Sequence, residues 1–301
     1  MRVIEMEARS ALVHSRLGVD YVINPYTGCG FGCSYCYATF MSRHVSEPIE
    51  EWGRYVYVKR NVVEVFEREL ARMSLERRGR SILMSSVTDP YQGAESKHRL
   101  TRGIMEALAR ERYPGSVSVL TKSPLVLRDV DCFRELPRFE VGLTVTSADD
   151  EIGRWLEARA PRPEKRLEAL AALNEAGIST YAFIGPLVPH FVERTELLED
   201  LFARLADAGV RRVYVEHLNA KGYIRKRLDE VVARQLEQVQ AAYADARTPE
   251  HRARLEQIVS ELIERHGMEL RLGAVIDHPE NEARPHRRRR HAAAEDKAIS
   301  A

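Results

Sequence analysis

Apolar residues run along this chain in two alternating rhythms. Short runs dense in Val, Ile, Leu and Tyr cover 22–26, 81–87, 117–123, 139–147, 179–188 and 211–219. Stretches in which apolar positions return every three to four residues follow the runs, at 62–73, 100–110, 130–136, 149–157, 163–176, 193–208 and about 226–242. The first rhythm predicts strands and the second amphipathic helices. Asn61 is placed to cap the helix over 62–73. Pro249 onward reads as a further helix to 266, and 268–276 as one more strand, while the sequence through WGRYVYVKRN reads as polar and mixed.

Six strand–helix couplets beginning at Val22 require parallel pairing through right-handed crossovers. No linker rich in Gly, Pro or Ser interrupts the beat, so one α/β domain is expected. A partial or complete barrel fits it, with an open doubly wound sheet as the alternative. In both, ligands sit at the C-terminal ends of the strands, which makes the polar residues there the ones to inspect.

Composition narrows the class. The 301 residues are 44% hydrophobic and 30% charged, enough apolar material for a large core. Forty-six basic residues against 45 acidic leave a net charge of +1, so no global field draws the chain to nucleic acid or membrane. The N-terminus lacks the apolar segment of a signal peptide, and no run approaches the roughly 18–20 apolar residues of a membrane span. The expected location is therefore the cytoplasm, where thiols stay reduced and clustered cysteines serve as metal ligands or redox groups. Two basic stretches remain. The tail from Asn281, with Arg284 and four consecutive arginines from Arg287, reads as disordered and solvated, with a phosphate-backbone contact as the rival reading. KGYIRKR at 221–227 reads as a phosphate-contacting loop or as the exposed start of a helix.

Three of the four cysteines, Cys29, Cys33 and Cys36, fall within GCGFGCSYCY in a C-x3-C-x2-C spacing directly after the first strand. Structural zinc takes four ligands, commonly as two separated pairs, and no second pair exists. His44, eight residues on, is not at a familiar zinc spacing. Iron–sulfur clusters are held by thiolates and normally take four. Three cysteines on a four-iron cluster would leave one iron open, and an open coordination site is for substrate or cofactor. Gly28, Gly30 and Gly32 let the backbone wrap close to such a cluster. Tyr35 would set an aromatic face beside the open iron. A zinc knuckle is the rival reading.

CGFGCSYCY is similar to the signature of the radical S-adenosylmethionine (SAM) enzymes. NPYTGCGFGCSYCYA, WGRYVYVKRN, SSVTDPYQGAE and VLTKSPLVLRD together resemble the branch grouped with spore photoproduct lyase, over residues 10–226. The resemblance implies a partial (β/α)6 TIM-type barrel with a C-terminal extension of helix and strand. Residues 1–20 would be a lead-in, 21–222 the core, 223–280 the extension and 281–301 the disordered basic tail. It implies a [4Fe-4S] cluster on Cys29, Cys33 and Cys36, and SAM chelated by the open iron and cleaved to a 5′-deoxyadenosyl radical that takes hydrogen from a substrate. Tyr35 would pack on the adenine side. Ser86, Thr88 and Asp89 would meet the methionine amino group, and Lys122 the methionine carboxylate, a cation facing an anion. Thr146 and Ser147 would reach ribose or methionine, residues 183–189 the adenine, and Glu216 and Asn219 the ribose or substrate. An external one-electron donor of flavodoxin or ferredoxin type is implied, with a nucleic-acid base as the leading substrate class. The competing function is an iron–sulfur protein with a structural or electron-transfer cluster and no SAM chemistry.

The chain departs from the lyase at one point. That enzyme is thought to carry a hydrogen-donating cysteine near the end of its second strand, where this chain has Ser86, Val87 and Thr88. Cys132 reads as a buried structural residue, and nothing in the sequence singles out Tyr37, Tyr91 or Tyr214 as a radical relay.

Overall fold

The predicted strands become neighbours in one sheet. The computed structural model describes residues 1–219 and 221–278. Its strands are β1 (Arg2–Met6), β2 (Val13–His14), β3 (Tyr21–Ile23), β4 (Tyr26–Thr27), β5 (Tyr55–Lys59), β6 (Ile82–Met84), β7 (Val117–Thr121), β8 (Phe139–Thr144), β9 (Ser179–Ile184), β10 (Arg212–Val215) and β11 (Glu269–Leu270). β3 and β6 through β10 pair in parallel in that order, β11 continues the parallel run, and β2 adds an antiparallel edge to β3. β2 and β11 do not meet, so the sheet is a partial TIM-type barrel with an open side.

The helices are α1 (Val62–Ala71), α2 (Leu75–Arg78), α3 (Glu95–His98), α4 (Leu100–Arg110), α5 (Val130–Arg134), α6 (Asp150–Leu156), α7 (Pro163–Glu175), α8 (Thr195–Asp207), α9 (Gly222–Val232), α10 (Glu237–Asp245) and α11 (Pro249–Arg265). The longer crossover helices bury one stripe against the sheet. α1 buries Val62, Val65, Phe66 and Leu70, and α8 buries Leu198, Leu201, Phe202 and Leu205. Each such side chain contributes roughly 1.5–3 kcal/mol. Close packing also dictates Gly142 on β8, where a Cβ would lie 2.2 Å from the Tyr181 ring of β9.

Several expectations need correction. The run at 22–26 is two strands in two sheets. Pro25 has no N–H to continue a ladder, and the chain leaves β3 to form β4, which pairs with β5. The lead-in and the stretch through WGRYVYVKRN are ordered together: β1 and β5 pair in parallel, giving a second sheet in the order β1-β5-β4. Asn61 sits at the start of α1, but its side chain makes no cap bond. Its Oδ1 accepts from the Ala8 amide at 2.7 Å and its Nδ2 donates to the Ala8 carbonyl at 3.1 Å, fastening the lead-in. The single helix expected over 226–242 is two, α9 and α10, separated at 233–236. The strands expected at 81–87, 117–123, 139–147, 179–188 and 211–219 all overrun the observed ladders. The overrunning residues are buried or half-buried loops at the strand C-termini, so their apolar pattern continues after the hydrogen-bonded ladder has ended.

No helix among the described residues is long and apolar enough to cross a membrane. The arginine-rich tail from Asn281 lies outside the described residues.

Candidate active site

The cysteine loop leaves β4 and enters a 3-10 helix over Tyr37–Val45. Gly28 and Gly32 take positive φ, 88° and 63°. Gly30 does not. A Cβ there would lie 2.7 Å from Met1 Sδ, the far end of an exposed side chain that can move aside, so neither φ nor space demands glycine at this position. Two side chains from the turn after β6 pin the loop. Gln92, fully buried, accepts from the Gly30 amide at 2.8 Å and donates to the Gly28 carbonyl at 3.1 Å and to Thr88 Oγ1 at 2.8 Å. Thr88 itself donates to the Gly28 carbonyl at 2.6 Å.

Cys29 and Cys33 are each 8% exposed and Cys36 is half-buried; none is in a disulfide. Burial raises the Cys29 thiol well above its ordinary pKa, with Asp89, Cys33 and Cys36 adding to the rise. Burial and then Glu157 push Cys33 up to about 12. Burial raises Cys36 too. The thiols therefore feel one another, yet among the described residues no three His, Cys, Asp or Glu side chains converge on a single-ion site. His44, the one candidate for a fourth ligand, is exposed.

Two groups that the sequence reading missed complete the surroundings of these sulfurs. Arg227 of α9 donates to the carbonyls of Cys33 at 3.2 Å and Gly32 at 3.5 Å. Its charge lies within Coulombic reach of Cys36 and Cys33. The Trp52 indole N–H is buried, makes no full hydrogen bond among the described residues, and faces Cys36, whose ionised form it favours. A buried donor left unpaired is costly, and a thiolate-bound cluster in this loop is a group that would receive it. The donor set fits such a cluster: three reduced, mutually close thiols, a fixed cation and an orphan N–H.

Three of the remaining predicted residues, Tyr35, Lys122 and Thr146, close around a buried carboxylate that sequence reasoning also missed. Glu157, at the end of α6, bonds the Tyr35 hydroxyl and the guanidinium of Arg166, and lies 3.6 Å from Lys122 Nζ. Burial alone would raise its pKa, but Arg166 and then Lys122 overcome that and hold it at about 2. Arg166 is 1% exposed and also donates to the Thr144 and Pro161 carbonyls. The sequence signal for it was a cation at a core position of α7, in line with the buried Pro163, Leu167, Leu170 and Leu173. Glu157, Arg166 and Lys122 carry a net charge of +1. Arg166 neutralises the carboxylate directly, Asp89 within Coulombic reach of Lys122 brings the four groups to neutrality, and Lys122 at 3.6 Å is the more loosely held of the two cations.

Tyr35, Lys122 and Thr146 are brought together. Lys122 Nζ stands 5.7 Å from the Tyr35 ring centre, and Thr146 Oγ1 is 3.2 Å from the Tyr35 hydroxyl and 3.1 Å from Glu157 Oε1. Asp89 is committed to the protein. Its carboxylate accepts from Thr121 Oγ1 at 2.7 Å and from the amides of Lys122 at 2.8 Å and Tyr91 at 2.9 Å. Ser147 Oγ accepts from the Asp149 amide, making the turn into α6. Ser86 is half-buried, and its amide donates to Asn24 Oδ1. Glu216 pairs with His278 at 2.6 Å, and Asn219 accepts from the Lys221 amide at 3.3 Å. Of the tyrosines, Tyr91 is buried with its hydroxyl donating to Asp129, and Tyr214 packs on Tyr181 and Phe183. Tyr37, 41% exposed, donates to the Ser86 carbonyl and so bridges the cysteine loop to the turn after β6. Cys132 is buried in α5.

The comparisons with known proteins agree with this geometry. The family described as "Radical SAM superfamily" matches residues 23–201. An uncharacterised protein of Methanocaldococcus jannaschii is 36% identical over 194 residues, 64% of this chain and 70% of that protein. An uncharacterised protein of Mycobacterium tuberculosis is 32% identical over 209 residues, and the match covers 68% of this chain and 60% of that protein. Among solved structures, spore photoproduct lyase complexed with dinucleoside spore photoproduct superposes with a TM-score of 0.68 at 16% identity, covering 89% of this chain and 81% of that one. A doubly substituted form of that lyase with bound AdoMet gives 0.64 at 15% identity. These last two show a shared fold, whereas the family match spans more than half of the chain and includes the three cysteines. The chain is a radical SAM enzyme and belongs to the radical SAM superfamily.

Proposed function

We propose that Cys29, Cys33 and Cys36 hold three irons of a [4Fe-4S] cluster, and that SAM binds at its open iron between Tyr35, Lys122 and the ends of β6 to β9. The observation that carries this reading is the convergence of three buried, reduced thiols with two cations, Lys122 within Coulombic reach of Cys33 and Arg227 within reach of Cys33 and Cys36. The chemistry supplied when both groups are bound is reductive cleavage of SAM and hydrogen abstraction from a substrate by the 5′-deoxyadenosyl radical.

The protein's own residues bind and orient. Lys122 takes the methionine carboxylate by a charge-assisted bond. Asp89 holds the Lys122 backbone in place, Thr88 and Gln92 fix the cysteine loop, and Ser86, Thr146 and Ser147 line the methionine and ribose side. Residues 21–222 form the core of this unit, and 223–280 an extension that reaches the cysteine loop through Arg227. An external one-electron donor of flavodoxin or ferredoxin type, in the reducing cytoplasm, supplies the electron. A nucleic-acid base is the favoured substrate class, supported by the neighbour that binds a dinucleoside photoproduct. The stretch 221–227 adds nothing to that preference: Arg225 pairs with Asp229, Lys226 with Glu50, and Arg227 turns inward.

The test is anaerobic reconstitution with iron and sulfide, reduction, and assay of 5′-deoxyadenosine with SAM alone and with damaged DNA. An intact cluster that neither binds nor cleaves SAM under either condition would favour a structural or electron-transfer cluster instead. In the same preparation, Lys122→Ala is expected to weaken SAM binding about tenfold or more, the worth of one charge-assisted hydrogen bond, with iron content unchanged. Unaltered SAM affinity would remove Lys122 from the site.

A further inference from the structure

A cavity of about 260 Å³ lies where β2, β3 and β5 meet the turn after β6. Val13, Val22, Met41 and Val87 give it largely apolar walls, and Lys59 and Ser86 are polar members of its lining. It adjoins the site described above. Val87 packs against the cluster of residues that includes Cys29 and Cys33, and Ser86 carries the carbonyl that receives the Tyr37 hydroxyl.

Lys59 is the unusual member. It ends β5, with its backbone amide donating to the Pro25 carbonyl at 3.2 Å. Its Nζ donates to the Asn24 carbonyl at 2.7 Å. Among the described residues no carboxylate lies within ion-pair distance of it. An ammonium has three N–H donors, and this one has two left over at the wall of an apolar chamber. Burial lowers its pKa, with no opposing charge to raise it. Asn24 ties the arrangement together. Its carbonyl orients Lys59, while its Oδ1 accepts from the amides of Ser86 at 3.0 Å and Val87 at 3.1 Å. The ammonium and the turn after β6 are thus held by one residue.

An uncompensated cation with free donors beside apolar walls selects a molecule with one anionic group on an apolar body. The volume falls just below the roughly 300–1,000 Å³ of drug-sized sites, which limits that body to about one ring. We infer that this cavity is the substrate pocket, and that it takes a small organic anion held by Lys59: a phosphate would keep the nucleic-acid preference above, and a carboxylate would replace it. The assignment rests on the radical reading of the adjoining site.

The experiment is calorimetric titration of the cluster-loaded protein with phenylacetate, phenyl phosphate and neutral benzyl alcohol, without SAM or reductant. At least one anion should bind more tightly than the alcohol, and its identity tells a carboxylate substrate from a phosphate. Lys59→Met should weaken that anion about tenfold, the loss of a charge-assisted hydrogen bond, and Lys59→Arg should restore most of it. Val13→Trp, at a half-exposed position on the wall, should weaken binding with the charge in place and serves if the lysine variants fail to fold. Anion binding that survives in both Lys59→Met and Val13→Trp, or no anion preference in the unaltered protein, would overturn the inference. Because no SAM is present, a failure of 5′-deoxyadenosine formation would count against the radical reading alone.

Discussion

Replacing Cys33 with Ala is expected to abolish the site-differentiated cluster and to reduce 5′-deoxyadenosine formation by more than about 100-fold, beyond the 10–100-fold typical of losing a mere supporting partner of a metal ligand. The fold should survive. Among the described residues the Cys33 side chain makes no hydrogen bond, the contact with Arg227 is through the Cys33 carbonyl, and alanine retains that carbonyl. Iron content, the visible absorption of the cluster and SAM turnover are measured on one preparation. Cys132→Ala is the internal control. This thiol is buried in α5, away from the cysteine loop in sequence, and burial pushes it up to about 11. It therefore behaves as a small apolar residue, and its loss should cost about 1 kcal/mol of stability and no iron. Retained cleavage in Cys33→Ala, or equal iron loss in both variants, would refute the ligand assignment.

Removing Glu157 has the largest expected effect on stability. Glu157→Ala leaves the Arg166 guanidinium buried without its counter-charge and the Tyr35 hydroxyl with Thr146 Oγ1 at 3.2 Å as its remaining partner. Breaking a buried pair from one side costs about 3–5 kcal/mol, read as a lower urea midpoint at pH 7. Glu157→Gln keeps the shape and loses the charge. It also separates the electrostatic part by pH. In the fold Glu157 is held at about 2, below the ordinary 4.5. The folded state therefore binds its proton more weakly than the unfolded state does, and the stabilisation is complete above pH 4.5 and disappears as pH falls from there toward 2. The unaltered protein should lose that increment across this window, and Glu157→Gln should not. Identical acid limbs in the two proteins would mean that the Glu157–Arg166 pair contributes nothing to stability. The same substitution should alter SAM affinity, because Lys122 and Tyr35 both lean on this carboxylate.

Much of the architecture was legible without coordinates. Val, Ile and Leu runs alternating with helical periodicity over six couplets admit few solutions other than a parallel sheet wrapped by helices, and α4 was read to the residue at both ends. Errors cluster where a local rule met a tertiary competitor. Asn61 has the chemistry of a helix cap, but Ala8 offers it both a donor and an acceptor, and the lead-in strand is fastened there instead. The alternation in YVYVK passed as mixed sequence because its partner, β1, is about fifty residues earlier in the chain. The overrun strand ends misled for the opposite reason: residues such as Ser85, Val145 and Val188 are buried in loops, so their pattern mimics a ladder that has already stopped.

The three thiols and their spacing were legible in the chain alone, because ligand chemistry is carried by side-chain type at short separation. The tertiary structure decided what surrounds them. Glu157, Arg166 and Arg227 lie between about 120 and 195 residues from the cysteine loop, on α6, α7 and α9. No local pattern reports which distant charges will share a low-dielectric volume, and there the balance of buried charge sets the ionisation of every group. Lys59 makes the same point. Read alone it is one lysine among many on an alternating strand, and only the cavity beside it shows that its ammonium has donors to spare.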